Sequence, residues 1–212
     1  MPAIVESWYL GVEHGNAVAD VLFGAVNPSG KLPVSFPRAV GQVPIYYNHK
    51  NTGRPGDEKE RSTSRYIDMP FTPLYPFGHG LSYTTFAYSA PVVSRSRLAT
   101  SESLTVSVTV TNTGTRPGDE VVQLYVRDDA GSVTRPVKEL KGFARVSLAP
   151  REQKTITFPL TPSALAFYDV RYRKVVEPGT YTVMVGGSSE QTQRVRFEMT
   201  GAVHVVDARP IR

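Results

Sequence analysis

The residue types able to do chemistry gather in the first third of the chain. Seven carboxylates stand there: Glu6, Glu13, Asp20, Asp57, Glu58, Glu60 and Asp68. Two carboxyl groups about 5 Å apart, one ionised and one kept protonated, can cleave a glycosidic bond with retention at the anomeric carbon. Glu13 is the best placed of the seven. It sits in Gly11-Val-Glu-His-Gly15, just before a predicted helix, at the mouth where open α/β sheets bind ligands. The same carboxylate would favour the helix macrodipole with no catalysis at all, and that structural role is the preferred reading. Asp57, Glu58 and Glu60 alternate with Lys59 and Arg61, the pattern of a solvated loop.

A second group, Tyr46, Tyr47, Asn48, His49, Arg54, Arg65 and Tyr66, mixes aromatic faces with fork-like donors. Sugar sites use such side chains to stack on rings and to bind hydroxyls, although ordinary loop packing uses them as well. His14, His49, His79 and His204 show no metal-ligand spacing. The chain has no Gly-x-Ser-x-Gly elbow, phosphate-cradling loop or dinucleotide fingerprint, so neither cofactor nor metal is expected. Without cysteine there is no disulfide and no thiolate chemistry, and the compartment stays open.

The elements that must position these residues differ between the two halves. Ala3 to Trp8 reads as a short buried strand feeding a loop. Asn16 is placed to cap a helix over Ala17 to Phe23, with Gly24 as its left-handed C-terminal residue. Asn27-Pro-Ser-Gly30 fits a type I turn, and prolines confine Lys31 to Phe36 to a sheet edge. Asn48 to Ser64 is polar and rich in Gly and Pro, which predicts a long surface loop. From Ser103 the pattern changes, because Leu104, Val106, Val108 and Val110 alternate with Ser and Thr as in a half-buried antiparallel strand. Further strands are predicted over 120–127, 140–148, 154–160, 179–185 and 193–199, the spacing of a small sandwich. Its aromatics, among them Tyr125, Phe143, Phe158, Phe167, Tyr168, Tyr172, Tyr181 and Phe197, mostly fall at expected core positions.

Gly15 to Pro37, Tyr46 to Pro55, Thr63 to Tyr66 and Tyr75-Pro-Phe-Gly-His-Gly-Leu-Ser-Tyr-Thr-Thr-Phe86 closely resemble, in order and spacing, the end of the second domain of family 3 glycoside hydrolases of the bacterial periplasmic β-glucosidase type. Thr134-Arg-Pro-Val-Lys-Glu-Leu-Lys-Gly-Phe143 resembles the domain that follows. Leu10, His14 and His79 depart from the usual Pro, Gly and Tyr of that family.

The resemblance implies a mostly β chain: a fibronectin type III-like β-sandwich over 91–205, a linker over 73–90, and an incomplete α/β sandwich segment over 1–72. It implies a parent enzyme that removes terminal β-linked glucose with retention. Its nucleophilic Asp would lie in an N-terminal barrel and its acid/base upstream in the α/β domain, so neither role falls on a residue of this chain. Glu13, Tyr46, His49, Arg54, Arg65 and Tyr66 would then stand beside the substrate, a β-glucoside or oligosaccharide, and the missing barrel and α/β domains would be the partners, on the same chain or another. The alternative is a non-catalytic carbohydrate-binding or interaction module built on the sandwich.

The 24 Lys and Arg against 19 Asp and Glu give a net charge of +5 and a pI near 9.4. These basic residues are scattered beside acids without interleaved aromatics, so no nucleic-acid partner is expected. No apolar run reaches the length of a membrane span, and the first eight residues lack a signal peptide's features, so the chain alone is not expected to be exported. The parent family is often periplasmic or secreted.

Overall fold

The computed structural model describes residues 3–207; the first two residues of the expected first unit lie outside the described residues. Long strands build the second half: β4 (Leu104–Asn112), β5 (Gly118–Asp128), β6 (Glu139–Leu148), β7 (Gln153–Leu160), β10 (Gly179–Gly186) and β11 (Thr192–Thr200). Short strands complete it: β1 (Phe86–Tyr88), β2 (Val92–Val93), β3 (Arg97–Ala99), β8 (Phe167–Tyr168), β9 (Lys174–Val176) and β12 (His204–Asp207). In one sheet β4 is paired by β7 along one edge and by β1 and β2 in turn along the other. The second sheet runs β3-β11-β10-β5-β6, and a small third one runs β12-β9-β8.

Alternation explains the core. Val106, Val108 and Val110 of β4 face Val122, Leu124 and Val126 of β5 and Val183 and Val185 of β10 across the sandwich, all within one buried cluster. On β5 the alternation fails, because Gln123 and Tyr125, on the outer face, are buried as well. They are covered by the first half. Phe77 stacks on Tyr47 at 4.3 Å, and both rings meet Tyr125 edge-on. The Gln123 amide donates to the carbonyls of Gly78 and Gly187, and its oxygen accepts from the Tyr125 hydroxyl. Gly78, at φ +78°, leaves the room that Gln123 fills.

The first half departs from several expectations. Residues 3–10 carry no strand, and Ile4, Val5 and Trp8 are exposed: among the described residues no strand pairs with them. Helix α1 (His14–Leu22) starts before Asn16, continuing a 3₁₀ turn over Gly11–Glu13, so Asn16 caps nothing and instead donates to Glu13 Oε2 at 2.7 Å. Gly24 does take the left-handed conformation at φ +79°. No turn forms at Asn27–Gly30. Asn27 is recruited elsewhere, accepting from Ser82 Oγ and the Tyr83 amide and donating to the Pro117 carbonyl. The expected edge strand shrinks to one bridge between Phe36 and Tyr75. In the sandwich, Phe143, Tyr168 and Tyr172 are 69%, 55% and 77% exposed rather than core residues, since two lie at a hairpin and one faces outward from β6.

Candidate functional site

The loop from Tyr46 to Tyr66 is held at its root by the sandwich. Lys50 bridges Pro136, the Val137 amide donates to the His49 carbonyl at 2.9 Å, and the Leu140 amide donates to the Tyr47 hydroxyl at 3.3 Å. Tyr47 is therefore an anchor, while its neighbour Tyr46 stays half exposed. The His49 ring lies at the surface with Nδ1 3.2 Å from the Lys50 carbonyl.

Beyond the root the loop folds on itself. The Ser64 amide donates to the Arg54 carbonyl, Thr52 and Ser64 join their hydroxyls, and Thr63 Oγ1 donates to the Asp57 and Glu60 carbonyls. Arg54 reaches back to the Ser62 carbonyl at 3.5 Å, and the Tyr66 hydroxyl donates to the Gly41 carbonyl at 3.3 Å. The loop carboxylates serve the same end. Asp57 accepts from the Lys59 amide, Glu58 from the Phe71 amide and Glu60 from Ser62, whose backbone and hydroxyl hold the Glu60 carboxyl below its usual range.

Glu13 sits apart from this loop, exposed, with Asn16 as its donor. No hydrogen bond, ion pair or ring contact among the described residues joins two of Glu13, Tyr46, His49, Arg54, Arg65 and Tyr66. A cavity of about 610 Å³ instead opens between the linker and the β10–β11 hairpin, lined by Lys31, His79, Tyr88 and Glu120. Glu120, 4% exposed, accepts from Lys31 Nζ at 3.2 Å and from the Tyr88 hydroxyl at 2.7 Å. Burial, with Lys31 nearby, lowers the His79 imidazole pKa, and the ring stacks on Tyr75 at 5.2 Å. Sequence reasoning missed this cluster. The nearby run Val121-Val-Gln-Leu-Tyr-Val126, apolar on both faces, marks a strand covered on both sides but does not point to Glu120 or its partners.

The comparisons with known proteins follow the same division. Residues 1–83 match the glycosyl hydrolase family 3 C-terminal domain, and residues 120–189 match the fibronectin type III-like domain. The chain belongs to glycoside hydrolase family 3 and corresponds to the C-terminal part of its β-glucosidase-type members. It is 50% identical over 199 residues to the periplasmic beta-glucosidase of Salmonella typhimurium, across 93% of this chain and 26% of that protein. It is 52% identical over 190 residues to a beta-xylosidase of Formosa agariphila, across 90% of this chain and 26% of that protein. The crystal structure of the Listeria innocua beta-glucosidase in complex with glucose superposes with a TM-score of 0.89 at 46% identity, covering 93% of this chain and 28% of that one. The chain thus spans about a quarter of the length of the curated relatives it matches. Among the described residues no helix is long and apolar enough to cross a membrane.

Proposed function

We propose that this chain serves a retaining β-glycosidase that removes terminal β-glucosyl residues, as a part that shapes the substrate site but supplies neither catalytic carboxyl. The nucleophile and the acid/base belong to a barrel and an upstream α/β segment, on the same chain or on a partner. Glu13, Tyr46, His49, Arg54, Arg65 and Tyr66 line the wall on this side, with Tyr46, Arg65 and Tyr66 available for ring stacking and hydroxyl recognition.

One observation carries the reading. The first half has a single nine-residue helix with no buried residue, yet exposes Trp8, Val12, Phe23, Val40 and Ile67. Apolar surface of that extent calls for a covering body. The carboxyls agree with it. A general acid needs a raised pKa, whereas the Ser62 backbone and hydroxyl hold the Glu60 carboxyl below its usual range. Among the described residues, the carboxyl that burial raises, Asp128, lies in the sandwich with its side chain 5% exposed. Relatives named β-glucosidase and β-xylosidase are equally similar here, so the glycone is chosen chiefly by the covering body. The test is hydrolysis of 4-nitrophenyl β-D-glucoside. The chain alone gives the buffer rate, and adding a family 3 barrel with its upstream α/β segment gives turnover; turnover by the chain alone overturns the proposal.

A further inference from the structure

The outer face of the β3-β11-β10-β5-β6 sheet carries a groove that the reading above does not use. Its volume is about 990 Å³. Thr182 and Met184 of β10, both nearly buried, belong to its lining as floor positions. Register fixes the walls, because Thr182 pairs with Arg127 on β5 and with Arg196 on β11, and Met184 pairs with Arg194. Lys138, just before β6, closes one end. Four cations therefore line the groove against one carboxylate, Asp129.

The cations are organised differently. Asp129 accepts from Thr182 Oγ1 at 3.0 Å and stands 3.5 Å from Arg127 and 4.0 Å from Arg196, fixing the middle of the groove. Lys138 is held by the Ser189 carbonyl at 2.6 Å and by Glu190 at 3.0 Å. Arg194 is exposed and pairs with no carboxylate among the described residues. Strand geometry sets Arg194 and Arg196 about 7 Å apart on one side of β11. Guanidinium forks at that spacing, over a floor of one hydroxyl and one thioether, suit an extended chain with repeated carboxylates and apolar ring faces. Asp129, shared between Arg127 and Arg196, and Glu190 on Lys138 offset two of the four positive charges, so the groove keeps a positive excess centred on Arg194 that an anionic ligand can answer.

The groove also adjoins the proposed substrate wall. Val137, in its lining, donates its amide to the His49 carbonyl at the root of the 46–66 loop. We infer that this groove is a binding site for an acidic glycan, a β-linked oligosaccharide bearing uronate carboxylates. The inference rests on the family 3 reading for the choice of glycan, while its test needs no catalysis.

The test is calorimetric titration of the 212-residue chain with a β-1,4-linked glucuronate hexamer, with cellohexaose of the same linkage, and with polyglutamate of matched charge. The expected result is binding of the acidic hexamer at least tenfold tighter than of either control. It weakens at least tenfold in the Arg194→Gln/Arg196→Gln variant and falls with added salt. Unchanged thermal unfolding of that variant shows that the fold is kept. Equal binding of cellohexaose, equal binding of polyglutamate, or no binding of the hexamer each overturns the inference. A failed titration leaves the hydrolysis test untouched, and failure of hydrolysis on reconstitution leaves the groove result standing.

Discussion

At the scale of single residues, the junction between the two halves depends on places where no side chain fits. A Cβ on Gly80 would overlap the Gly30 carbonyl oxygen and press on Lys31 Cδ at 3.0 Å, against backbone that cannot yield. Gly80→Ala is expected to lower stability by about 2 kcal/mol, as overpacking does. Gly53, with nothing within 4 Å, should tolerate alanine; urea denaturation of the two variants separates them. Asp169, in the turn between β8 and β9, is a residue of another kind, a carboxylate held by local donors. The Arg173 backbone amide, with the Arg173 guanidinium and the Arg171 amide, holds its carboxyl below the usual range. A depressed pKa contributes stability above the unfolded value of about 3.9, and this is lost as pH falls through the folded value. The carboxyl carbon of Asp169 should therefore titrate by NMR with a midpoint below 3.9, moving upward in Arg173→Gln.

Among the elements, what the sequence made legible is what local pattern decides. The alternation of β4 and the turn clusters around β5, β6, β7, β10 and β11 located all six long strands to within two residues. The short strands β1, β2, β3, β8, β9 and β12 were not legible, because two to four residues pair only where a distant partner offers an edge. Asn27 and Asn16 show the same limit in reverse. Each has a valid local role as turn or cap residue, and each is taken by another partner, Asn27 by contacts across 55 to 90 positions. The loop at 48–64 was legible from composition, whereas its attachment through Tyr47 to Leu140 was not, because no local signal marks which of two adjacent tyrosines is the anchor. Hydrogen exchange follows this division. Amides of β4, β5 and β10, paired on both sides, should exchange slowest, and those of residues 3–72, with few backbone bonds, much faster. Equal protection of the two regions would count against a first half that needs a covering body.

For the whole molecule, two features have to be reconciled: a sandwich with a closed core, and a first half that buries its best aromatics against that sandwich while leaving Trp8, Phe23 and Ile67 to solvent. Membership in family 3 reconciles them, because the matched stretch is only 26% of the Salmonella typhimurium relative. On the function proposed above, the sandwich is a rigid base that fixes the root of the 46–66 loop, and the exposed apolar surface would be the seam to the covering body. The most direct test is the native mass of this protein as isolated from its source cells. A particle roughly four times 23.3 kDa or larger, as one chain or as a complex, is the predicted result. A stable free monomer of 23.3 kDa would contradict it.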